Sequence, residues 1–450
     1  MEQTGSLTSG KVSSVLLRFF FPMLFTNLLQ QIYTFVDTVI VGKGLGDNAL
    51  AAVGNMSTVT LFIIGFLQGI ANGFSVIIAQ YCGSENHTKL RRSIAVSIKL
   101  SGFLSLLLTV FSIIVLRSVL LVMQTSEQIL QDSLQYGSII VGGLIITMAY
   151  NLFSCILRAF GDSKTPLLAI IISSALNIVL DYLFIFVFKT GVEGAAIATV
   201  FSQVVSTLIC ILQMRKMGSL CLTPDDFKGG LPLSLELLKN GIPMACMNSV
   251  TAAGCIIVQS YVNALGVVYT SAYAVCNKYI NLFMLPSITA GFSISAFTSQ
   301  NYGAKKFDRI RKGVRVSLLI GFFSYVLCGA AMMCLPEALA RIMLNGQQSI
   351  ALASGFLRIC GSMFFSLNFL FIFRSVVQGM GKPLIPMCSG ILEMVLRILI
   401  IVLFLSRIGF QAAAYAEIAA WMGALILNLV AYKVLMQRKI RQIYQIDGAK

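Results

Sequence analysis

The sequence is poor in charge and in the residues that most catalytic sites use. Only 11% of its 450 residues are charged and 57% are hydrophobic, whereas soluble domains carry about 25% charged residues. It has one histidine and no H-E-x-x-H, G-x-S-x-G or G-x-x-x-x-G-K-[ST] motif. The low share of charged residues excludes a water-soluble core. The missing motifs argue against zinc peptidases, serine hydrolases and ATP-driven pumps.

Sites for metals or prosthetic groups are also lacking. The 11 cysteines are scattered through apolar stretches without a C-x-x-C pair, so we expect buried thiols. His87 stands alone in a basic loop. No polar segment is long enough to fold as a soluble catalytic domain. We therefore expect no cofactor and no enzymatic activity, and a membrane-embedded enzyme is the least favoured alternative.

Long apolar runs fill the chain instead. A helix needs roughly 20 mostly apolar residues to cross a bilayer, and the runs are apolar on every side, unlike the alternating strands of membrane barrels. The first run is too long for a signal peptide. We predict an all-α integral membrane protein with about twelve transmembrane helices. The predicted spans lie near residues 15–41, 49–79, 93–116, 130–157, 166–188, 195–214, 243–265, 269–298, 316–336, 351–377, 386–405 and 412–433.

The apolar pattern repeats, with landmarks that recur about 220 positions apart. The segments around these landmarks also match in length and order, so we predict two pseudo-symmetric six-helix bundles. The predicted domains are residues 1–214, a cytoplasmic linker at 215–240, and residues 241–450. The recurring pairs are Pro22 and Pro243, Leu45 and Leu265, Gly46 and Gly266, Ser75 and Ser295, Gln80 and Gln300, Gly83 and Gly303, Gly161 and Gly381, Pro166 and Pro386, and Gly191 and Gly409.

The net charge of +16 is distributed as in a membrane protein rather than a nucleic-acid binder. Basic residues concentrate in alternate loops, which predicts that these loops and both termini are cytoplasmic. An even number of spans per half then gives both halves the same orientation, a parallel repeat. We expect a monomer that crosses the inner (plasma) membrane several times, with lipid as its surroundings and no nucleic-acid partner.

Two acidic residues lie inside predicted spans, where an aspartate costs about 2.5 to 3.5 kcal/mol even on a lenient scale. Asp37 lies on the first span, with Tyr33 and Gln30 four and seven residues earlier on the same helix face. Asp181 lies on the fifth span, with Asn177 four residues earlier. We expect both polar faces to point into the bundle.

Further polar residues lie at comparable spacings on the fourth and sixth spans. Tyr136 and Asn151 belong to the fourth, and Thr199 to the sixth. The helical rise places the two acids, Tyr136 and Thr199 roughly 7 to 11 Å below the outer face. The sequence therefore predicts that two carboxylates, a phenol, an amide and a hydroxyl form one cluster. The alternative, that hydroxyls only bond helices together, stays open.

No lysine or arginine of the first half lies at a matching depth. Two carboxylates in a low-dielectric site cannot easily both be charged, so a proton or a small cation must be shared with them. We predict a cation-coupling site of Asp37, Asp181, Asn177, Thr199 and Tyr136, in which a sodium ion would be held by Asp37, Asn177, Asp181 and Thr199.

The second half has a different set of polar residues. Glu393 and Arg397 are spaced i and i+4, so we expect them to pair on one helix face. Lys278, Arg374 and Glu417 are open to either a structural or a substrate role. Polar side chains on the seventh and eighth spans can line the other wall of a substrate cavity. These residues are Asn248, Gln259 and Asn277.

Pro22 lies fifteen residues before Asp37 on the first span. Proline removes a backbone hydrogen bond and can bend a helix. We expect Pro22 to act as a hinge, although glycine and proline are also common in membrane helices for ordinary packing.

Four segments together resemble those of a known family over almost the whole chain. They are FPMLFTNLLQQIYTFVDTVIVGKGLG from Phe21, NIVLD from Asn177, GVEGAAIAT from Gly191 and SQNYGA from Ser299. The chain resembles the multidrug and toxic compound extrusion (MATE) transporters. The resemblance implies export of amphipathic, often cationic small molecules by alternating access, in exchange for protons or sodium ions.

The resemblance also implies roles for particular residues. Asp37 of the VDT motif and Asp181 of the fifth-span motif would serve cation coupling, with Asn177 and Thr199 as amide and hydroxyl of the cation site. Tyr136 and Asn151 would belong to the surrounding network, and Gln30 and Tyr33 would contact substrate. One branch of the family has acids in the seventh and tenth spans, where this chain offers Asn248, Gln259 and Asn368.

The sequence thus favours a proton- or sodium-coupled antiporter. A lipid-linked oligosaccharide flippase of a related branch is the nearest alternative, and it would be expected to have a larger cationic cavity. A channel is a third possibility, but a duplicated bundle with a buried acid pair suits alternating access better.

Overall fold

The computed structural model describes residues 7–217, 222–228 and 230–447, with side chains up to Lys439. Every regular element in those ranges is helical, which confirms the predicted fold class. The helices are α1 Val12–Leu45, α2 Asp47–Gly83, α3 His87–Val122, α4 Glu127–Gly142, α5 Leu144–Ala159, α6 Lys164–Tyr182, α7 Gly191–Lys216, α8 Leu231–Asn263, α9 Val267–Phe283, α10 Leu285–Gly303, α11 Phe307–Ser324, α12 Ala330–Cys334, α13 Pro336–Met343, α14 Gln347–Ser362, α15 Phe364–Gly379, α16 Leu384–Ile408 and α17 Gln411–Asp447.

The number of membrane crossings agrees with the predicted twelve when two bent helix pairs are each counted as one span. Within the described residues, 10 helices are long and apolar enough to cross a membrane, or up to 12 with those pairs. The pair α4 and α5 is bent by 45°, and the pair α14 and α15 by 50°. The bends follow Gly142 and Ser362, at repeat-related positions, so both halves interrupt their fourth span.

The chain forms two compact units whose division falls inside two helices. The first unit contains Phe21–Ala245, and the second contains Leu7–Phe20 together with the chain from Cys246 onward. Helix α1 therefore changes unit beside Pro22, and α8 changes unit beside Pro243. Proline lacks the N–H that would continue the helical hydrogen-bond ladder, so each crossing point coincides with a weakened turn.

The segment predicted as a linker is partly helical. It contains a 3-10 turn at Pro224–Lys228 and the first residues of α8, while residues 218–221 and 229 lie outside the described residues. Asp226 accepts hydrogen bonds from the backbone N–H and the hydroxyl of Thr223, each at 2.9 Å. These hydrogen bonds hold the pKa of Asp226 below its usual range, and the bond from the backbone has the larger effect.

Glycines with left-handed backbone mark the same turns in both halves. Gly46, between α1 and α2, has a φ of 86°, and Gly266, between α8 and α9, has a φ of 112°. Gly161 and Gly381 likewise have φ values of 87° and 72°. A side chain would strain each of these positions. The repeat seen in the sequence therefore corresponds to a repeated requirement for glycine at inter-helix turns.

Small residues allow close helix packing within the first unit. On α2, an added Cβ at Gly69 would lie 2.5 Å from the Cα of Ala245, and one at Gly73 would lie 2.5 Å from the carbonyl oxygen of Asn240. This spacing of glycines four residues apart is typical of membrane helix interfaces. It brings α2 into backbone contact with the first part of α8.

The amino-terminal segment is bound by its backbone to the second unit. Arg309 of α11 donates hydrogen bonds to the carbonyl oxygens of Leu7 at 3.2 Å, Ser9 at 2.9 Å and Gly10 at 2.7 Å. The backbone N–H of Leu7 donates to Oε1 of Gln300 at 2.9 Å, and the Leu7 side chain is buried. One guanidinium thus anchors residues 7–10 through main-chain atoms.

Replacing Arg309 with alanine is expected to release residues 7–10. Bonds from a charged donor contribute about 1.5 to 3 kcal/mol, so local opening should become at least tenfold more frequent. Hydrogen exchange of the backbone amides of this segment measures that opening. Lys312→Ala, an exposed basic change on the same helix, is the control, and equal exchange in both variants would contradict the anchoring role.

Candidate cation site

The first unit brings the predicted polar cluster together from four helices. Asp37 comes from α1, Tyr136 from α4, Asp181 from α6, and Thr199 from α7. The carboxyl groups of Asp37 and Asp181 are close enough for a protonated one to hydrogen-bond to the other. Helical spacing and depth, read from the sequence, therefore identified residues that do meet in space.

Close packing at the carboxyl-terminal end of α1 places Asp37 toward α6. A Cβ at Gly44 would lie 2.5 Å from Cγ2 of Ile185, so only glycine allows this approach. Ile185 belongs to a π-helical turn, Leu183–Val187, which begins two residues after Asp181. Such turns are frequent at functional sites. This turn was not predicted, because the apolar run around it is continuous.

Asn177 connects Asp181 to α7. In the amide orientation that satisfies both partners, its Nδ2 donates to Oδ2 of Asp181 at 2.8 Å and its oxygen accepts from the backbone N–H of Thr199 at 3.2 Å. Asn177 and Asp181 are both fully buried. The amide therefore fixes one oxygen of Asp181 and leaves the other available.

Two tyrosines complete the cluster. The hydroxyl of Tyr33 is within hydrogen-bonding reach of Thr199, and Tyr33 also lies near both carboxylates. Tyr136 is buried and has Asp37, Tyr33 and Asp181 as its electrostatic neighbours. Tyr33, predicted as a substrate contact, thus belongs to the same cluster as the predicted cation-coupling residues.

The two carboxylates lack compensation. Oδ1 of Asp37 and Oδ1 of Asp181 are buried without a hydrogen-bond partner. Among the described residues, neither carboxylate forms a salt bridge, although six salt-bridge contacts occur elsewhere. A buried carboxylate without a partner is costly. The arrangement can relieve that cost by holding a proton, or by binding a small cation that accepts oxygen ligands.

The remaining predicted substrate residues are divided between the units. In the first unit, Gln30 is exposed on α1, and Asn151 on α5 donates to the carbonyl oxygen of Thr147 at 2.9 Å. In the second unit, Nε2 of Gln259 donates to Oδ1 of Asn263 at 2.7 Å, and Asn277 hydrogen-bonds Tyr273. Asn248 is half-buried on α8. A substrate-binding role for these residues stays a prediction.

The second unit contains a buried network of four charged side chains. Arg374 of α15 donates to Glu393 of α16, and Nη2 of Arg397 donates to Glu417 of α17 at 3.0 Å. Nη2 of Arg397 also lies 3.7 Å from Glu393. All four side chains are buried. The predicted pair of Glu393 and Arg397 is present, but each residue has a shorter contact on a neighbouring helix.

Sequence reasoning left Arg374 and Glu417 unassigned, and the structure makes them the principal partners of Glu393 and Arg397. Helical spacing reveals partners on one helix only. The available signal was charge balance, because two basic and two acidic residues lie in neighbouring spans of otherwise apolar sequence.

Comparison with known proteins also divides the chain into two similar halves. The MatE family model matches twice, at residues 22–183 and 243–403. The probable multidrug resistance protein YoeA of Bacillus subtilis (strain 168) is 28% identical over 76% of this chain and 75% of its own length. The probable multidrug resistance protein YpnP of the same organism is 26% identical over 92% of this chain and 90% of its own.

A solved structure agrees in fold. A crystal structure of MATE in the bent conformation covers 98% of this chain and 99% of its own, with a TM-score of 0.92 and 21% sequence identity. The family model accounts for more than half of the chain and matches once in each repeat. This chain is therefore a membrane protein of the MATE family, the multidrug and toxic compound extrusion transporters.

Proposed function

We propose that this chain is a cation-coupled antiporter that exports amphipathic, often cationic small molecules by alternating access. The observation that carries the proposal is the uncompensated pair Asp37 and Asp181, each with a buried oxygen that lacks a partner. A proton or sodium ion entering from outside neutralises the pair. The similarity to relatives named as multidrug resistance proteins supports drug-like substrates.

Coupling requires that the cation and the substrate favour different conformations. A ligand shifts an equilibrium only by its differential affinity for two states. Tyr33 links cation binding to substrate binding. It contacts Thr199, it lies near both Asp37 and Asp181, and its own helix, α1, also carries Gln30. We propose that cation binding rearranges this part of α1 about the turn at Pro22 and lowers substrate affinity.

We also propose an orientation, an oligomeric state and a coupling cation for the protein. Basic residues in alternate loops support an orientation with both termini in the cytoplasm of a cell whose plasma membrane holds the protein. The transporter acts as a monomer, without a cofactor and without enzymatic chemistry. The coupling cation is a proton or a sodium ion.

Transport in proteoliposomes tests the proposal. Purified protein is reconstituted, a fluorescent cationic dye is supplied, and a pH gradient and a sodium gradient are imposed separately. We expect at least one gradient, directed opposite to dye movement, to accelerate transport about tenfold over the rate without a gradient. Equal rates under all conditions would show that no cation is coupled.

A further inference from the structure

Helices α6 and α16 occupy equivalent places in the two repeats. They begin at Lys164 and Leu384, and each follows a turn with a left-handed glycine. Their buried faces correspond residue by residue at one offset of 220. On α6 the buried residues are Pro166, Ala169, Ile170, Ser173, Asn177 and Asp181, and on α16 they are Pro386, Ser389, Gly390, Glu393, Arg397 and Ile401.

Helices α7 and α17 correspond in the same way at an offset of 218. GVEGAAIAT from Gly191 aligns with GFQAAAYAE from Gly409, and these glycines have φ values of 68° and 61°. This alignment pairs Thr199 with Glu417. Together with α6 and α16, it pairs the cation-site residue Asn177 with Arg397.

The paired positions are hydrogen-bonded in each unit, with donor and acceptor reversed and with the backbone of one partner replaced by a side chain. The amide oxygen of Asn177 accepts from the backbone N–H of Thr199 at 3.2 Å. In the second unit, Nη2 of Arg397 donates to Oε2 of Glu417 at 3.0 Å. The correspondence is therefore spatial as well as sequential, and the second unit contains a counterpart of the candidate cation site.

The acids of the first site are missing from its counterpart. Asp181 corresponds to Ile401, and Asp37 corresponds to Val258 at the offset of 221 that relates Pro22 to Pro243. Tyr136 corresponds to Phe356. Ile401, Val258 and Phe356 are all fully buried. The counterpart thus has apolar residues in place of Asp37 and Asp181 and lacks the hydroxyl of Tyr136.

In place of those groups, the counterpart holds a guanidinium between two carboxylates. Arg397 is 3.0 Å from Glu417 and 3.7 Å from Glu393. The other titratable or charged groups around it are two thiols, a phenol and a second guanidinium. They are Cys255 of α8, Tyr273 of α9, Cys360 of α14, and Arg374 of α15, which is bound to Glu393.

We propose that Arg397 is a permanent cation in a second site of the same construction, so that only the first half exchanges its cation. This inference rests on the proposed function. The covalently attached guanidinium supplies the positive charge that the first site must take from outside. The second unit therefore stays neutralised throughout the transport cycle, and coupling draws on a single site per chain.

We expect the second unit to gain a cation site when Arg397 loses its charge. In a chain with Asp37→Asn and Asp181→Asn, the additional change Arg397→Gln leaves Glu417 buried without its partner. We expect sodium or acid to raise the melting temperature of this triple variant in detergent by about 2 °C or more. Adding Glu417→Gln should remove that response, and Arg397→Lys in place of Arg397→Gln should prevent it.

Equal cation responses in the triple variant and in the variant that also carries Glu417→Gln would overturn the inference. If sodium or acid raised the melting temperature of the Asp37→Asn, Asp181→Asn chain as much as that of the wild type, this would instead count against the proposed function. If the triple variant does not fold, gradient-driven export is measured instead for a double variant, Arg397→Gln with Glu417→Gln, in the otherwise native chain. We expect this neutral pair to retain gradient-driven export, and its loss in a cooperatively melting protein would overturn the inference.

Discussion

Asp181→Asn is expected to lower gradient-driven export about a hundredfold, near the upper end of usual coupling between sites. The substitution keeps the size of the side chain but cannot bind a proton or sodium ion as a carboxylate does. Because Asp181 is fully buried and hydrogen-bonded to Asn177, the effect acts on coupling rather than on access. Asp37→Asn should have an effect of the same order, since both carboxyl groups share the site.

Dye efflux from proteoliposomes under an imposed gradient measures this loss. Binding of the dye to the purified variants should persist, and its dependence on pH and sodium should be much weaker. Asp225→Asn is the matched control, because Asp225 is an exposed acid in the 3-10 turn, paired with Lys228. Normal export by both Asp37→Asn and Asp181→Asn, with native amounts of folded protein, would refute the mechanism.

Arg374→Met should lower the free energy of unfolding by about 3 to 5 kcal/mol, because it leaves the buried carboxylate of Glu393 without its shortest partner. Arg397 lies 3.7 Å from Glu393 and is already bound to Glu417, so it compensates only in part. Unfolding in mixed micelles, followed by denaturant titration, measures the change.

The control for Arg374→Met removes both charges together. Arg374→Met with Glu393→Met should recover most of the lost stability, since replacing a buried ion pair with apolar residues of similar size is often nearly neutral. If the single and double variants unfold alike, the loss comes from packing of the arginine stem and not from an orphaned charge.

Local periodicity was enough to predict which side chains meet in the polar cluster of the first unit. Tyr33 and Asp37 follow one helix face, as do Asn177 and Asp181, and the helical rise places Asp37 and Asp181 at a similar depth. The glycines at the inter-helix turns were equally visible, because left-handed backbone restricts the residue type. These features depend on a few neighbouring residues, and a sequence displays them directly.

Other features depend on which helices become neighbours, and periodicity does not specify that. The pairing of Arg374 with Glu393 joins α15 to α16, whereas spacing suggested only Arg397 as a partner. The bends in the fourth and tenth spans interrupt runs of continuous hydrophobicity. The change of unit within α1 was hidden for the same reason, since one unbroken apolar helix carries residues of both units.

The division of α1 and α8 between the units makes each unit a product of both halves of the chain. The half before the linker contributes Leu7–Phe20 to the second unit, and the half after it contributes residues up to Ala245 to the first. Each half thus contributes a short segment to the unit that the other half mainly forms, as in a domain-swapped dimer. Neither half of the chain alone therefore contains all the residues of one compact unit.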